Sequence, residues 1–288
     1  MDTQKINPSL KNGFIQARAI TKKHAKTFYF ASLFLEPDKR YAAYSIYAIC
    51  RISDDAVDET NSHTNPKNLV TIKQRIDSVY NNSPLNDDVL LAFKHTITNY
   101  KIPKDYFDEL IKGMYMDLNK NQYKNFDELY TYCYRVAGVI GLIMLKIFGY
   151  NHLEAEKYAL DLGIAMQLTN ILRDIKEDYK KQRIYLPQQE MNRFQVSEDH
   201  IRKERLDENF ISLLKFQIKR ARDYYATSTL GITMIEDAQS CFVVWAMKDM
   251  YSGILNAIEK NNYDVFSKRA CVSKLQKIII LLKILYKK

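Results

Sequence analysis

Asp54 and Asp58 stand four residues apart, and so do Asp174 and Asp178. At about 3.6 residues per turn, each pair puts two carboxylates on one side of one helix. Neither pair stands alone. Tyr44, Tyr47, Arg51, Asp54 and Asp58 follow one another along a single helical face, and Gln167, Asn170, Asp174 and Asp178 make a second ladder. Ile46, Ile49, Ile52, Ala56 and Val57 fill much of the circumference around the first. Beside the second runs an apolar stripe, Ile164, Leu168, Ile171 and Ile175, with Ala159, Leu162 and Met166 on the other flank. That leaves Asp161, Thr169 and Lys176 as the expected water-facing side. Carboxylates set among apolar residues are costly unless paired or bound to a cation.

With 34 acids in 288 residues, isolated acidic pairs arise by chance, so a single pair carries little. Two pairs, each on an otherwise apolar helix and each beside an arginine (Arg51, Arg173), carry much more. The plain alternative is local pairing of Arg51 with Asp55 and Arg173 with Glu177. Facing aspartate pairs suit Mg2+, a hard cation that binds through one or two carboxylates plus substrate phosphates. Zinc is disfavoured because neither ladder contains Cys or His. Gln167 and Asn170 add neutral oxygens or amide donors. Lys26, Arg51, Arg173, Lys181, Arg183 and Arg269 can hold phosphate oxygens that the metal leaves free. The implied ligand is a diphosphate.

An aromatic set suggests the rest of that ligand. "HAKTFYFASLFL" places Phe28, Phe30 and Phe34 near His24 and Lys26, and Tyr44 and Tyr47 extend the Arg/Asp face. Such a stripe is ordinarily core. Beside a site that generates carbocations, ring faces would also stabilise the cation without adding a nucleophile. In "YTYCYRVAGVIGL", Gly138 and Gly141 sit inside a helical pattern despite their cost of about 1 kcal/mol each. Either helices pack closely there or a chain-like substrate runs along bared backbone.

Helices must carry all of this. Only 8 Gly and 6 Pro punctuate the chain, 47% of residues are hydrophobic, and amphipathic runs recur from end to end. The fold is expected to be all-α. Helices are predicted before His24, from Pro37 through "YAAYSIYAICRISDDAVDE", and near 69–80, 87–99, 104–119, 126–148, 153–180, 207–229, 235–260 and 265–286. "TNSHTNPKN" reads as a loop. No linker or repeat divides the chain, so residues 1–288 are read as one domain.

The net charge of +9 has three candidate partners: nucleic acid, a membrane surface or a polyanionic small molecule. Solvated helix faces are the bland reading of it. Cys50, Cys133, Cys241 and Cys271 lack metal-like pairing and read as buried free thiols of a reducing compartment. The opening residues show no apolar signal segment and no run is long enough for a spanning helix, which points to the cytoplasm. The tail "KLQKIIILLKILYKK" is short, apolar and rimmed by lysines. It reads as a core-packing last helix, with a membrane surface as the alternative.

In order and spacing, "HAKTFYFAS", "YAICRISDDAVDE", "YCYRVAGVIG", "QLTNILRDIKEDYKKQRIYLP" and "NNYDVFSKR" resemble the motifs of the squalene/phytoene synthase family, the head-to-head prenyl diphosphate synthases. The likeness covers nearly the whole chain. Lys176 is a departure, standing where members often carry a small residue. The resemblance implies an isoprenoid synthase bundle around a central cavity, with the aspartate pairs facing across its mouth. It implies that two or three Mg2+ ions are held by Asp54, Asp58, Asn170, Asp174 and Asp178. His24, Lys26, Phe28, Tyr47, Arg51, Gln167, Arg173, Arg183 and Arg269 would bind substrate. Tyr47, Tyr132 and Tyr185 would stabilise cations or relay protons, with released diphosphate an equally good base.

The implied reaction joins two prenyl diphosphates through a cyclopropyl diphosphate to a linear hydrocarbon. Dehydrosqualene from farnesyl diphosphate is the expected product, on the composition of the chain; phytoene and NADPH-reduced squalene are the alternatives. Cavity depth would decide, through residues such as Ser32, Phe34, Leu142 and Leu145. A class I terpene cyclase and an inactive helical scaffold or membrane adaptor are the readings outside this family. No nucleic acid is expected as partner.

Overall fold

The computed structural model describes residues 7–58, 65–119 and 121–286, and within these it leaves out the side chains of residues 57, 58, 65 and 66. Among the described residues fifteen α-helices follow one another in chain order. They are α1 (Pro8–His24), α2 (Lys26–Ser32), α3 (Pro37–Asp58), α4 (Asn65–Tyr80), α5 (Asp88–Asn99), α6 (Lys104–Asn119), α7 (Phe126–Cys133), α8 (Val139–Phe148), α9 (Ala155–Arg173), α10 (Ile175–Lys180), α11 (Gln188–Arg193), α12 (Glu198–Arg202), α13 (Glu208–Ile232), α14 (Ala238–Lys260) and α15 (Lys274–Tyr286). Tyr134–Gly138 forms a π-helical turn between α7 and α8. Among the described residues the only extended pairing is two isolated bridges, Gln122 with Ile184 and Tyr150 with Ile235. The all-α expectation holds.

Local chemistry sets several of the starts. Asn7, Asp87, Asn125, Asp207 and Asp237 each accept a hydrogen bond from a backbone N–H in the first turn of the helix that follows. This satisfies donors that a helix otherwise leaves orphaned. The predicted helix over 153–180 is in fact two. Asp174 leaves helical geometry at φ −108°, ψ 18° and separates α9 from α10. The predicted last helix begins at Lys274, nine residues later than expected.

The apolar stripe of α9 is buried as read, with Ile164, Leu168, Ile171 and Ile175 each at most 5% exposed. Burial of each such side chain stabilises by roughly 1.5–3 kcal/mol. Its supposed wet side is not wet. Thr169 is fully buried and hydrogen-bonded at 3.0 Å to the Tyr225 hydroxyl of α13, and Asp161 is buried too. The reason is α13, the most extensive packing partner of α9, which covers that face. Lys176 likewise faces protein, pairing with Glu204 and donating at 3.0 Å to the Phe266 carbonyl.

Buried residues form two apolar clusters. One gathers α1, α3, α4, α5, α6 and α8 with the first half of α14. The other gathers α7, α9, α13, the 184–201 segment and the end of α14. Met166 and Tyr251 pack against both. The run Phe126–Phe148 is apolar and long enough to cross a membrane. It is half buried and packs on α6 and α9, as a core element does. Cys133 is buried and Cys50 and Cys241 are partly so, but Cys271 lies exposed in the loop before α15, contrary to the expected burial.

The two glycine-rich helices approach closely. A Cβ at Gly141 would sit 2.2 Å from the Ala159 carbonyl oxygen, and one at Gly163 would sit 2.3 Å from that of Ala137. Close packing is therefore one answer to why glycine stands in these helices. Gly141→Ala should lower the melting temperature, although alanine is intrinsically the better helix former by about 1 kcal/mol. A thermal denaturation curve at or above that of the wild type would contradict the close approach.

Candidate active site

An apolar cavity of about 330 Å3 lies between the helices. Its walls are Phe28 of α2, Ile46, Tyr47 and Cys50 of α3, Val136, Ala137, Ile140 and Gly141 of the π turn and α8, and Leu162, Gly163, Met166, Gln167 and Asn170 of α9. Ser228 to Ile235 and Val243 to Tyr251 close it from α13 and α14. The π turn contributes Val136 and Ala137, in keeping with the tendency of such turns to occur at functional sites. Gly141 and Gly163 line the cavity as well and bare backbone to it, while Gly138 is not in its wall.

One end of the cavity is polar. Gln167 and Asn170 enter its wall from α9, and the next turns of the same helical ladder carry Asp174 and Asp178. From α3 the wall residues Tyr47 and Cys50 lead, one turn on, to Asp54. Tyr251 of α14 lies between the two ladders: it acts on Tyr47 of α3 and feels the charges of Arg173, Arg269 and Asp174. The side chain of Asp58 lies outside the described residues. Asp54 is exposed, while Asp174 and Asp178 are half-buried.

Asp174 is gripped from two sides. Arg173 Nε donates to Oδ1 at 2.8 Å and its Nη2 to Oδ2. Arg269, from the loop before α15, donates through Nε at 2.7 Å and Nη2 at 2.9 Å to the same two oxygens. Burial pushes the Asp174 carboxyl up, but the hydrogen bonds and charges of these two guanidiniums hold it below the ordinary range. The alternative partner foreseen for Arg173, Glu177, is not the one used. For Arg51 the local alternative does apply: its Nη2 pairs with Asp55.

Asp178 has the opposite environment. Burial first, then the charge of Asp174 and of Asp117, raises it to about 7 against the opposing pull of Lys181 and Arg183. Two acids in a half-dry corner, one of them poorly compensated, fit a cation. A second observation agrees. Among the described residues, Asn170 Oδ1 and Arg51 Nε are buried without a hydrogen-bond partner. Asn170 turns its amide nitrogen to Gln167 Oε1 at 3.4 Å, which leaves the oxygen for something else. No three Asp, Glu, His or Cys side chains among the described residues form a ready cage. A cation held there would need water or phosphate oxygens to complete its sphere, as magnesium commonly does.

Tyr132 and Tyr185 lie beside this corner and do not line the cavity. Their rings stack at 5.0 Å, with Tyr123 against both. Their hydroxyls donate to Asp117, at 3.0 Å from Tyr132 and 2.7 Å from Tyr185. Burial pushes both phenols far up, so they remain protonated donors. Asp117 on α6 is the residue that spacing did not flag. It has no acidic partner at helical spacing within its helix, and only the fold brings it to Tyr132, Tyr185 and Asp178.

The aromatic set divides. Phe28 lines the cavity, its ring 5.9 Å from that of Tyr47. Tyr44 is core, stacked on Tyr29 and bonded to the Ser32 hydroxyl. Phe30 and Phe34 are not in the cavity wall; Phe34 is exposed and packs on Phe242. Of Ser32, Phe34, Leu142 and Leu145, proposed to set depth, only Leu145 reaches the cavity. His24 and Lys26 are exposed where α1 meets α2, one to two residues from the cavity residues Ala25 and Phe28. Arg183 sits in the segment after α10, near enough to act on the charges of Asp178 and Tyr185.

The family model for squalene/phytoene synthase matches residues 21–276. The chain belongs to the squalene/phytoene synthase family. It is 39% identical over 284 residues to a 15-cis-phytoene synthase of Synechococcus elongatus, covering 94% of this chain and 91% of that one. It is 37% identical to chloroplastic phytoene synthase 2 of Solanum lycopersicum, covering 94% and 89%. A crystal structure of a dehydrosqualene synthase superposes with a TM-score of 0.90 at 29% identity, over 96% and 97% of the two chains. A squalene synthase from Alicyclobacillus acidocaldarius shares the fold, with a TM-score of 0.83 at 24% identity. The protein is a prenyltransferase with the all-α isoprenoid synthase fold.

Asp174→Asn should cut turnover by at least about a hundredfold, in the range typical of removing a charged group from a catalytic site. The far-ultraviolet dichroism should stay at the wild-type value. Wild-type turnover in this variant would remove Asp174 from the site.

Proposed function

We propose that the protein condenses two geranylgeranyl diphosphates head to head, through a cyclopropyl diphosphate, into phytoene, with magnesium and without NADPH. The whole chain acts as one helical domain in this reading. The observation that carries it is a cluster of acids, amides and arginines at one end of an otherwise apolar cavity. A ligand with a charged head and a long hydrocarbon tail is what such a cavity accepts. The C20 substrate is favoured over the C15 one because the phytoene synthases above are more similar in sequence than the dehydrosqualene synthase. The farnesyl diphosphate reading rests on composition alone and becomes an outcome of the test.

Asp54, Asp58, Asn170, Asp174 and Asp178 would hold the metal, which supplies Lewis-acid stabilisation of the departing diphosphate. The remaining work falls to the chain itself. Arg173 and Arg269 have forked guanidiniums already at the polar end, and diphosphate oxygens compete with Asp174 for them. Arg51 has a buried Nε without a hydrogen-bond partner, one turn from the cavity residue Tyr47. The apolar walls keep water from the allylic cations. Phe28, Tyr47 and Tyr251 put ring faces there, and the Tyr47 hydroxyl, pushed up to about 12 by burial, stays protonated and un-nucleophilic. Tyr132 and Tyr185 give their hydroxyl protons to Asp117 and so hold that carboxylate in place near Asp178. Released diphosphate is the base available for proton loss.

Purified protein incubated with Mg2+ and each prenyl diphosphate should release diphosphate and give a C40 hydrocarbon from the C20 substrate, unchanged by NADPH. A C30 hydrocarbon from farnesyl diphosphate alone would replace the substrate assignment. No diphosphate release from either would end the enzymatic reading. EDTA should abolish the reaction and added Mg2+ should restore it. Asn170→Ala should raise the Mg2+ concentration for half-maximal rate severalfold; an unchanged requirement would remove its carbonyl from the metal site.

A further inference from the structure

The last helix, α15, is apolar on two opposite faces, and the protein covers only one. Leu281 and Ile284 are buried against the core. Leu275, Ile278, Ile279, Leu282, Leu285 and Tyr286 recur at helical spacing on the other side and are 41–88% exposed. A soluble protein rarely leaves such a stripe in water without a partner. The core-packing expectation for this tail is therefore half right.

Charge indicates the partner. From Val265 to the last residue there are seven Lys or Arg and no Asp or Glu, so this stretch carries seven of the nine net positive charges. Lys274 and Lys283 are exposed and flank the apolar stripe. The cleft between α15 and α14 is lined by Lys268, Arg269 and Lys283 of this stretch, with Lys260 added and one acid, Asp249, on the α14 side. An apolar stripe edged by lysines with no acid is the pattern of a helix lying in an anionic bilayer surface.

The place in the fold gives the contact a purpose. Lys277 of α15 donates at 2.7 Å to the hydroxyl of Thr27, whose neighbour Phe28 lines the cavity. α15 packs on α14, which supplies the cavity residues Met247 and Tyr251. Arg269, five residues before α15, holds Asp174.

We propose that α15 docks the protein on an anionic lipid bilayer, apolar stripe inward, with the cavity edge formed by α2 and α14 held next to the membrane. A hydrocarbon product then passes from the cavity into lipid without crossing water. The purpose rests on the function proposed above; the docking itself does not.

The test is sedimentation of the full chain with vesicles of phosphatidylcholine alone and of equal parts phosphatidylcholine and phosphatidylglycerol. Binding should need phosphatidylglycerol and weaken with salt. Lys274→Gln with Lys283→Gln should lower the partition coefficient about 25-fold, at about fivefold per lysine lost. Leu282→Asp should lower it too while the dichroism and diphosphate release in detergent micelles stay at wild-type values. No binding to either vesicle would overturn the proposal. So would a dimer in solution that Leu282→Asp dissociates, because a second copy would then cover the face. Diphosphate release is measured separately, so loss of docking leaves the enzymatic reading intact, and the reverse.

Discussion

The structure depends on one constraint: carboxylates have to stay ionised at the edge of a greasy cavity. Leaving them unpaired among apolar walls would be prohibitively costly or would protonate them. The chain resolves this unevenly. Asp174 is placed where α9 breaks, within reach of two guanidiniums from different parts of the sequence, and is held ionised. Asp178, one turn on, is raised instead. Of the two acids, one is clamped by guanidiniums and the other is left in a half-dry setting with its proton held more tightly.

Everything around that end serves to hold it still and dry. The close contact of Gly141 and Gly163 with the facing backbone locks α8 against α9, so the ladder on α9 has a fixed register relative to the π turn. α13 covers the back of α9, which is why Thr169 and Asp161 are buried. The three stacked tyrosines and Asp117 form the second wall of the corner. Lys176, bonded to the Phe266 carbonyl, ties α10 to the loop that supplies Arg269. A side chain that departs from the usual family pattern thus has a local structural part beside the arginine clamp.

The sequence made legible whatever repeats at helical spacing. Both ladders, the buried stripe Ile164–Ile175 and most long helices follow from periodicity alone. The break at Asp174 did not, because periodicity continues across a single non-helical residue. Helices α2, α11 and α12 are too short to show a period. Polarity misplaces Thr169, which finds a hydrogen bond on α13, and Asp161, which α13 covers. Phe34 and Tyr44 show the converse: sequence can count aromatics near a site but cannot say which face the cavity. Asp117 was invisible because its partners are residues 132, 178 and 185, which only tertiary structure gathers.

The central claim is that acids from α3 and from α9–α10 share one metal-bound diphosphate. Anomalous diffraction from crystals grown with Mn2+ and diphosphate measures this most directly. The account predicts manganese peaks within coordination distance of Asp54 or Asp58 and of Asp174 or Asp178, bridged by the same diphosphate. Peaks confined to one helix, or a diphosphate bound with no metal beside either ladder, would contradict it.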